Sequence, residues 1–378
     1  MPQASSPSTL QPAQQRARQR ANFNTPEIQA YRRDVRDFTF VRQGMMVAFP
    51  TCFPGITVPI PLDESRITAL AAAPEGTIYG GTGGAQTHLF AAEFHGLTGL
   101  VFDLGTVPGA TECVAVCCGL RQYAGFVNGP RGGRAILSRM ARLDADCIQE
   151  WGFNRPPLED LGECVAGEPV VHAVAATGSH VVGATTKHVF TLDLDGKKIE
   201  TVGEAAAGGR LTVAKSGAVS GRDGDGHLWS FDPKTAKFTP RAAALPSGDW
   251  SQPLRWAKGP DGILYTTDSS GQIYSFSETS GFSAPLAKAP LTPVGPMAVT
   301  IDRRMFGFCG AQMAKMFLFD TKTHEFALLG VAASVTQRRR YGYIFSDAVL
   351  GRDGEVVFGE NDNGGHVWLY FPKLLPRA

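Results

Sequence analysis

The sequence predicts an all-β fold built from repeated antiparallel units, and three observations support this prediction. Glycine (44 residues) and proline (25 residues) are frequent while 43% of the chain is hydrophobic, which suits many short strands joined by tight turns. A short motif, a polar turn followed by an alternating strand, is clearest at residues 221–233. The motif recurs at intervals of roughly 40 to 50 residues, the period of propeller repeats.

Copies of the motif mark corresponding strands along the chain. The fullest, at 226–233, reads Gly-His-Leu-Trp-Ser-Phe-Asp-Pro, and similar strands begin at His188 and His366. Their alternation of apolar and polar side chains has the period of two that is expected of a β-strand. Shorter versions occur at 87–90, 271–276 and 315–320.

Aligning these strands divides the chain after Ile67 into seven units. Each unit has a first strand rich in small residues, a turn that often contains Asp-Gly, a second strand, a polar loop, a third strand and usually a fourth. Small residues such as Ala69, Ala173 and Ala214 suit the crowded axis of a propeller. The units begin near Ile67, residue 110, Val170, Leu211, Pro253, Met297 and Ser346.

The seventh unit has no fourth strand of its own, because the sequence ends soon after Phe371-Pro372. A strand-like segment between Phe38 and Ile60 could fill this place. The sequence therefore predicts a seven-bladed β-propeller of four-stranded antiparallel blades, with its ring closed by an N-terminal strand. Six or eight blades would follow if the long second unit were miscounted.

Two regions are predicted. Residues 1–37 are expected to form a disordered basic N-terminal tail, because a segment rich in Gln, Ser, Pro, Ala and Arg cannot bury enough apolar surface to fold. A short helix is expected to start within it at Thr25-Pro26-Glu27, which supplies an N-cap, a proline at the first helical position and a first-turn acid. Residues 38–378 are expected to form the propeller.

Composition and charge narrow the choice of partners and compartment. The formal net charge of +1 gives no field that favours nucleic acid or a membrane surface, and we expect a monomer or a weak oligomer. The seven cysteines are odd in number and show no framework spacing, so we expect reduced thiols and a cytoplasmic location. The N-terminus lacks the apolar region of a secretory signal, although a secreted protein whose signal has been removed would look the same.

Four units carry a histidine where the third strand begins. The loop before this strand is expected to open on the face where propellers usually bind ligands. Imidazoles there could transfer protons or bind a metal, or they could bond to the backbone and only stabilise the turn. A third strand lies about 10 Å outward from the first, so neighbouring histidines would share a metal only if their loops leaned inward. These residues are His88, His188, His227 and His366.

The linker between the sixth and seventh units is rich in arginine and tyrosine. Arginine can bind a carboxylate through two parallel hydrogen bonds, and tyrosine can act as an acid or stack on a sugar. Arg134 in the second unit would face the same funnel, and Trp250 before the fifth unit could form a sugar platform. A solvated run of charges is the alternative explanation. The linker residues are Arg338, Arg339, Arg340, Tyr341 and Tyr343.

The His-Leu-Phe and Gly-His-Leu-Trp-Ser-Phe-Asp strands, together with this linker, resemble the propeller polysaccharide lyases that act on uronic-acid glycans of the oligogalacturonate, ulvan and rhamnose–glucuronate types. In that family His and Tyr handle protons, and Arg neutralises the uronate carboxylate so that the neighbouring proton can leave. The resemblance implies that His88 or His188 is the base, that Tyr341 is the acid, and that Arg338 to Arg340 neutralise the carboxylate.

The resemblance thus implies β-elimination on an acidic oligosaccharide, with no required cofactor, although a divalent metal is compatible. A first alternative is a non-catalytic propeller that binds a protein or a glycan on the same face, since fold alone does not define activity. A second is a lactonase-like metal hydrolase, which the Asp-Gly-Ile-Leu-Tyr-Thr-Thr-Asp segment at 261–268 resembles. We find too few acidic residues near the axis for its metal.

Overall fold

The computed structural model describes residues 44–51, 60–95, 98–119, 122–139, 157–335 and 341–373. Within these ranges there are thirty β-strands and no α-helix, so the prediction of an all-β fold is confirmed. The tail and helix expected at 1–37 lie outside the described residues. The chain begins with strand β1 (Gly44–Pro50), and a short 3-10 turn follows at Leu62–Glu64.

The first two predicted units form one curled antiparallel sheet. In each unit the four strands pair in chain order, and Gly83 of the first unit bridges Glu112 of the second. The strands are β2 (Arg66–Ala72), β3 (Ile78–Gly83), β4 (Thr87–His95), β5 (Thr98–Val107), β6 (Glu112–Gly119), β7 (Gln122–Gly129), β8 (Gly132–Arg139) and β9 (Glu159–Glu163).

The next three units are separate antiparallel sheets, again paired in chain order. The first strands of the fourth and fifth units are shortened to two residues each. The strands are β10 (Val170–Ala175), β11 (His180–Thr185), β12 (His188–Asp193), β13 (Lys198–Glu204), β14 (Thr212–Val213), β15 (Val219–Arg222), β16 (His227–Asp232), β17 (Lys237–Ala244), β18 (Ala257–Lys258), β19 (Leu264–Thr267), β20 (Gln272–Ser277), β21 (Gly281–Phe282) and β22 (Ala287–Lys288).

The last sheet joins the two ends of the chain. Its order is β1-β30-β29-β28, and β1 pairs antiparallel with β30 so that Val47 lies opposite Leu369. The outer strand of this sheet, β1, therefore precedes the first unit in the sequence. The strands of the sixth and seventh units are β23 (Val294–Val299), β24 (Arg304–Cys309), β25 (Lys315–Asp320), β26 (Phe326–Ala333), β27 (Tyr341–Gly342), β28 (Phe345–Leu350), β29 (Val356–Glu360) and β30 (His366–Pro372).

The core lies between neighbouring sheets. The described chain holds seven buried apolar clusters, each shared by two successive units or by the seventh and the first. This explains the repeated motif: Trp229 and Phe231 face the third unit, while Leu228 on the other side of β16 faces the fifth. Because both faces of the third strand pack on a neighbour, three of its six residues are fully buried.

The first strands surround a common cavity of about 500 Å³. Residues from the first strands of all seven units line it, with alanines such as Ala71, Ala115 and Ala298 among them. Neighbouring first strands also contact each other, as β2 does with both β6 and β28. This arrangement of curled sheets is compatible with a propeller.

Candidate functional site

A bulge interrupts the first strand of several units at an equivalent point. In β28 the register passes from Phe345 opposite Glu360 to Asp347 opposite Gly359, so Ser346 stands outside the ladder. Corresponding shifts occur in β2, β6, β10 and β23. A bulged residue leaves a backbone group unpaired and re-aims its neighbours. The Ser346 carbonyl is therefore available to side chains from elsewhere in the molecule.

Two arginines use this carbonyl. Arg255 Nη1 donates to the Ser346 oxygen at 2.6 Å, and Arg210 Nη2 donates to it at 3.2 Å. Arg210 Nη1 also forms an ion pair with Asp347. The contacts join the fourth, fifth and seventh units at the common cavity. We call His172, Arg210, Arg255, Ser346 and Asp347 the axial arginine cluster.

The two arginines converge because their backbones pair. Gly209 and Leu254 form an isolated parallel bridge, in which Arg210 N–H donates to the Leu254 carbonyl at 2.8 Å and Leu254 N–H to the Gly208 carbonyl at 3.0 Å. Gly209 has a φ of +139°. A Cβ at that position would lie 2.1 Å from the Leu254 nitrogen, so the bridge requires glycine.

The cluster carries an excess of positive charge. Asp347 is its one carboxylate; only 5% of that side chain is exposed, and it also accepts the Leu70 N–H at 2.8 Å. Burial and the nearby Arg210 cation lower the pKa of Arg255 to about 10, against the opposing effect of Asp347. Arg255 is still protonated at neutral pH. Two cations thus face one anion.

His172 completes the cluster as a neutral group. Burial, then the charges of Arg210 and Arg255, lower the pKa of His172 well below its ordinary value. Its Nδ1 accepts the Leu211 N–H at 3.2 Å, which places the ring proton on Nε2. The cluster therefore offers guanidinium and imidazole donors beside the cavity, a combination suited to binding an anion.

His88, a predicted base, has both ring nitrogens engaged. Nε2 lies 2.7 Å from Glu64 Oε2 and Nδ1 lies 3.0 Å from Asp103 Oδ1. The residue is 4% exposed. In this geometry His88 ties the start of β4 to the segment before β2 and to β5, and neither nitrogen is available to take a proton from a substrate.

The other three predicted histidines differ in their exposure and partners. His188 Nδ1 lies 2.8 Å from Glu168 Oε1, and its side chain is 29% exposed. His227 Nδ1 donates to the Asp225 carbonyl at 3.1 Å, a local turn contact. His366 is buried, with Nδ1 3.1 Å from Glu360 Oε2. Only His188 combines a carboxylate partner with substantial exposure.

Two further predicted site residues are engaged in packing. Arg134 is buried; it pairs with Asp160 through Nη1 and donates from Nη2 to the Pro108 carbonyl at 2.7 Å. Trp250 is half-buried, donates to the Pro246 carbonyl at 2.9 Å and packs against Tyr274. These contacts account for both side chains without a ligand.

The predicted arginine and tyrosine linker is described only in part. Tyr341 belongs to β27, pairs with Ala333 and packs against the core between the sixth and seventh units. Tyr343 follows it and is half-buried. Arg338, Arg339 and Arg340 lie outside the described residues.

The described ranges were also searched for metal sites, reactive thiols and membrane-spanning helices. They contain no group of three or more His, Cys, Asp or Glu side chains arranged to hold a metal ion. Their five cysteines are free thiols, and burial raises the pKa of Cys113 to about 12. No helix there is long and apolar enough to cross a membrane.

The axial arginine cluster is not among the sites predicted from the sequence. Small residues dominate the predicted first strands, and His172 and Asp347 both depart from that composition. The two residues occupy the same place, directly after the bulge of their strands. Aligning the first strands residue by residue would have marked this position as exceptional.

The chain was also compared with known proteins. It matches no protein-family model, and no curated protein is significantly similar to it. Its function must therefore be argued from the geometry.

Proposed function

We propose that the protein is a seven-bladed β-propeller that binds an acidic sugar at the mouth of its central cavity. Seven first strands around one cavity and seven apolar clusters between successive units support the blade count. The pairing of β1 with β30 supports closure of the ring by the N-terminal strand. In this architecture each blade buries both faces on its neighbours.

The observation that carries the binding function is the charge of the axial arginine cluster. Arg210 is paired with Asp347, whereas the Arg255 guanidinium, within the described chain, has the Ser346 carbonyl as its hydrogen-bond partner. A ligand carboxylate beside Arg255 would supply the second negative charge and a bidentate acceptor. A uronate carries such a group, together with hydroxyls that His172 Nε2–H could bond.

The cluster lies at the edge of the sheets where the predicted ligand face begins. Phe345, at the start of β28, pairs with Glu360 at the end of β29. The loop from β29 to β30 and the linker into β28 therefore lie at the same edge as Ser346. By the same pairing in the third unit, Thr185 at the end of β11 is opposite Val170 at the start of β10, so His188 belongs to this edge too.

β-Elimination is a second candidate function, and the His188–Glu168 pair favours it. The Thr185 hydroxyl and His188 lower the pKa of Glu168, which keeps this carboxylate ionised. Glu168 would hold the ring proton of His188 on Nδ1, which leaves the Nε2 lone pair to remove the proton from the carbon next to a uronate carboxylate. This carbon would then form a double bond to its neighbour as the bond from that neighbour to the leaving oxygen breaks. The leaving oxygen would take a proton.

The distance between the two sites sets a condition on this reaction. His188 begins β12, which lies two strands, about 10 Å, outward from β10, whereas the axial arginine cluster lies at the first strands. We therefore propose that the two sites bind different sugars. The substrate would be an oligosaccharide with one acidic sugar at Arg255 and another at His188. The roles that the resemblance implies for Arg338 to Arg340 as neutralisers and for Tyr341 as the acid remain predictions.

Calorimetric titration and an absorbance assay test the two functions separately. Oligouronates are titrated into the wild type, Arg255→Gln and, as a control, Arg241→Gln, whose side chain is 63% exposed. We expect Arg255→Gln to weaken binding at least about tenfold, which corresponds to the lower end of the free energy of a hydrogen bond to a charged group. Arg241→Gln should leave the affinity unchanged. The absence of binding to any oligouronate would overturn the proposal.

The lyase is tested with the same oligouronates by following the unsaturated-uronate absorbance band. We expect His188→Asn to abolish its growth while binding at Arg255 persists. If the wild type binds these ligands without any growth of the band, elimination is excluded for them and the binding function stands.

A further inference from the structure

A second cavity of about 290 Å³ adjoins the axial arginine cluster, and Arg255 lines it. It lies between the fifth, sixth and seventh units. We call it the apolar groove. Since Arg255 lines this groove and donates to Ser346 beside the central cavity, one ligand could reach both its guanidinium and the groove.

The lining of the groove has an unusual composition for a sugar site. Only two lining side chains, Gln252 and Arg255, are polar; the others are proline, glycine, alanine, valine, phenylalanine and isoleucine. These side chains offer few hydrogen bonds to the hydroxyls of a sugar, whereas they suit contact with an apolar group. The stacked pair Phe308 and Phe345, 3.8 Å between ring centroids, makes one wall rigid.

Exposed apolar side chains continue the groove onto the surface. Ile344, which lines it, is 42% exposed, and Leu291 and Met313 are 37% and 40% exposed. Leu291 lies beside Gly310, another lining residue, since a Cβ on that glycine would be 3.5 Å from Leu291 Cδ1. Contiguous exposed apolar surface around a concave site is typical of ligand binding.

We propose that the apolar groove binds the hydrocarbon part of a small carboxylic acid whose carboxylate pairs with Arg255. The cation at one end and apolar walls along the rest complement an amphiphilic anion with a short alkyl or aryl group. The inference rests on the proposed carboxylate-binding role of Arg255. It adds that the acidic ligand carries an apolar substituent close to the carboxylate that pairs with Arg255.

Three probes test this inference by calorimetric titration. Acetate and 3-phenylpropanoate have the same charge and differ mainly in the phenyl group, whereas 3-phenylpropanol has the size of the second acid but no charge. Burying an aryl group contributes about 1.5–3 kcal/mol. We therefore expect 3-phenylpropanoate to bind roughly ten- to hundredfold more tightly than acetate. The alcohol should bind much more weakly than the acid, because it cannot pair with Arg255. Equal affinity for acetate and 3-phenylpropanoate would overturn the proposal.

Single substitutions locate the binding. Ile344→Gln should bring the affinity for 3-phenylpropanoate close to that for acetate and leave acetate unchanged. Ile301→Gln is the matched control, since Ile301 is 63% exposed in the turn after β23. Arg255→Gln should weaken both acids. If Ile344→Gln is folded by thermal unfolding and binds 3-phenylpropanoate like the wild type, the groove is not the site.

The outcomes separate this inference from the sugar proposal. Binding of 3-phenylpropanoate without binding of oligouronates would support the groove and reject the acidic sugar. Binding of oligouronates without any gain from the phenyl group would support the sugar and reject the groove.

Discussion

At the scale of single residues, His88 and His172 show how neighbours set the charge of a buried imidazole. Burial lowers the pKa of His88, but the hydrogen bonds and charges of Asp103 and Glu64 outweigh burial, and the net shift is upward. His172 has cations for neighbours instead, so burial and charge act together and its pKa falls. The surroundings of His88 therefore favour its cationic form, whereas those of His172 favour the neutral form.

The raised pKa of His88 predicts a pH dependence of stability. Its unfolded pKa is about 6.5, so the imidazolium contribution is fully present below pH 6.5 and is lost as pH rises through the higher folded pKa. We expect His88→Gln to cost about 3 kcal/mol at pH 6, as for a broken buried pair, and less at pH 9. Urea unfolding of both proteins at each pH measures this difference.

The control for this measurement is His180→Gln, because His180 is exposed. It should change the free energy of unfolding little at either pH. A cost of His88→Gln that stays constant from pH 6 to pH 9 would contradict the assignment of a protonated His88. His172 titrates with the opposite sign and is present in both proteins, so it cancels in the difference.

At the scale of elements, the first strands combine a repeated bulge with unit-specific residues. The bulge re-aims the backbone, and the residue that follows it lies near the axis, where Ala69 and Ala115 are small but His172 and Asp347 are not. The fourth and fifth units use the parallel Gly209–Leu254 bridge in place of long first strands. Departures from the repeat thus coincide with the candidate site.

Gly209→Ala should disrupt this element. Its φ of +139° and the 2.1 Å approach to Leu254 cannot accept a Cβ without movement of the bridge. We expect a loss of about 1–3 kcal/mol in the free energy of unfolding and weaker binding of carboxylates, since Arg210 and Leu254 would separate. Calorimetric titration and urea unfolding measure the two effects.

Gly224→Ala is the matched control, because Gly224 lies in an exposed turn of the fourth unit and an added Cβ would meet nothing within 4 Å. It should leave both stability and binding unchanged. Equal effects of the two substitutions would show that the bridge does not position the arginines.

At the scale of the whole molecule, the pairing of β1 with β30 joins the first described strand to the last. β1 covers the outer edge of β30, an edge that would otherwise expose unpaired backbone groups. Val47 of β1 is fully buried in a cluster with Ile67 and Val367, so the strand also joins the cores of the seventh and first units. The proposed ring closure therefore depends on both hydrogen bonding and packing.

Substitutions at a buried and at an exposed position of β1 test this role. Val47→Asp would bury a charge between two units and should cost more than about 3 kcal/mol. Met45→Asp, on the same strand but at a residue that is 42% exposed, should change stability by no more than about 0.5 kcal/mol. Thermal and urea unfolding provide the comparison. Similar small effects of both would mean that β1 does not help to hold the molecule together.

The strands of this protein are easier to predict from its sequence than the candidate site is. Leu228, Trp229 and Phe231 mark a third strand because each must be buried whichever unit it faces, a requirement visible in any short window. His88 is also visible in a short window, as a histidine at the junction of a turn and a strand. Its chemistry, however, is determined by Glu64 and Asp103. Glu64 lies 24 positions away, and no local pattern links it to the histidine.

The sequence by itself determined the all-β class, the positions of the repeated strands and the N-terminal origin of the last sheet's fourth strand, because apolar alternation, turn residues and repeat length are local properties. Tertiary structure alone decided which polar side chains meet at the axis. Arg210 and Asp347 are separated by 137 positions. They meet because pairing of β14 and β28 within their own sheets brings both strands to one cavity, where the low polarity of the surroundings strengthens each charge interaction.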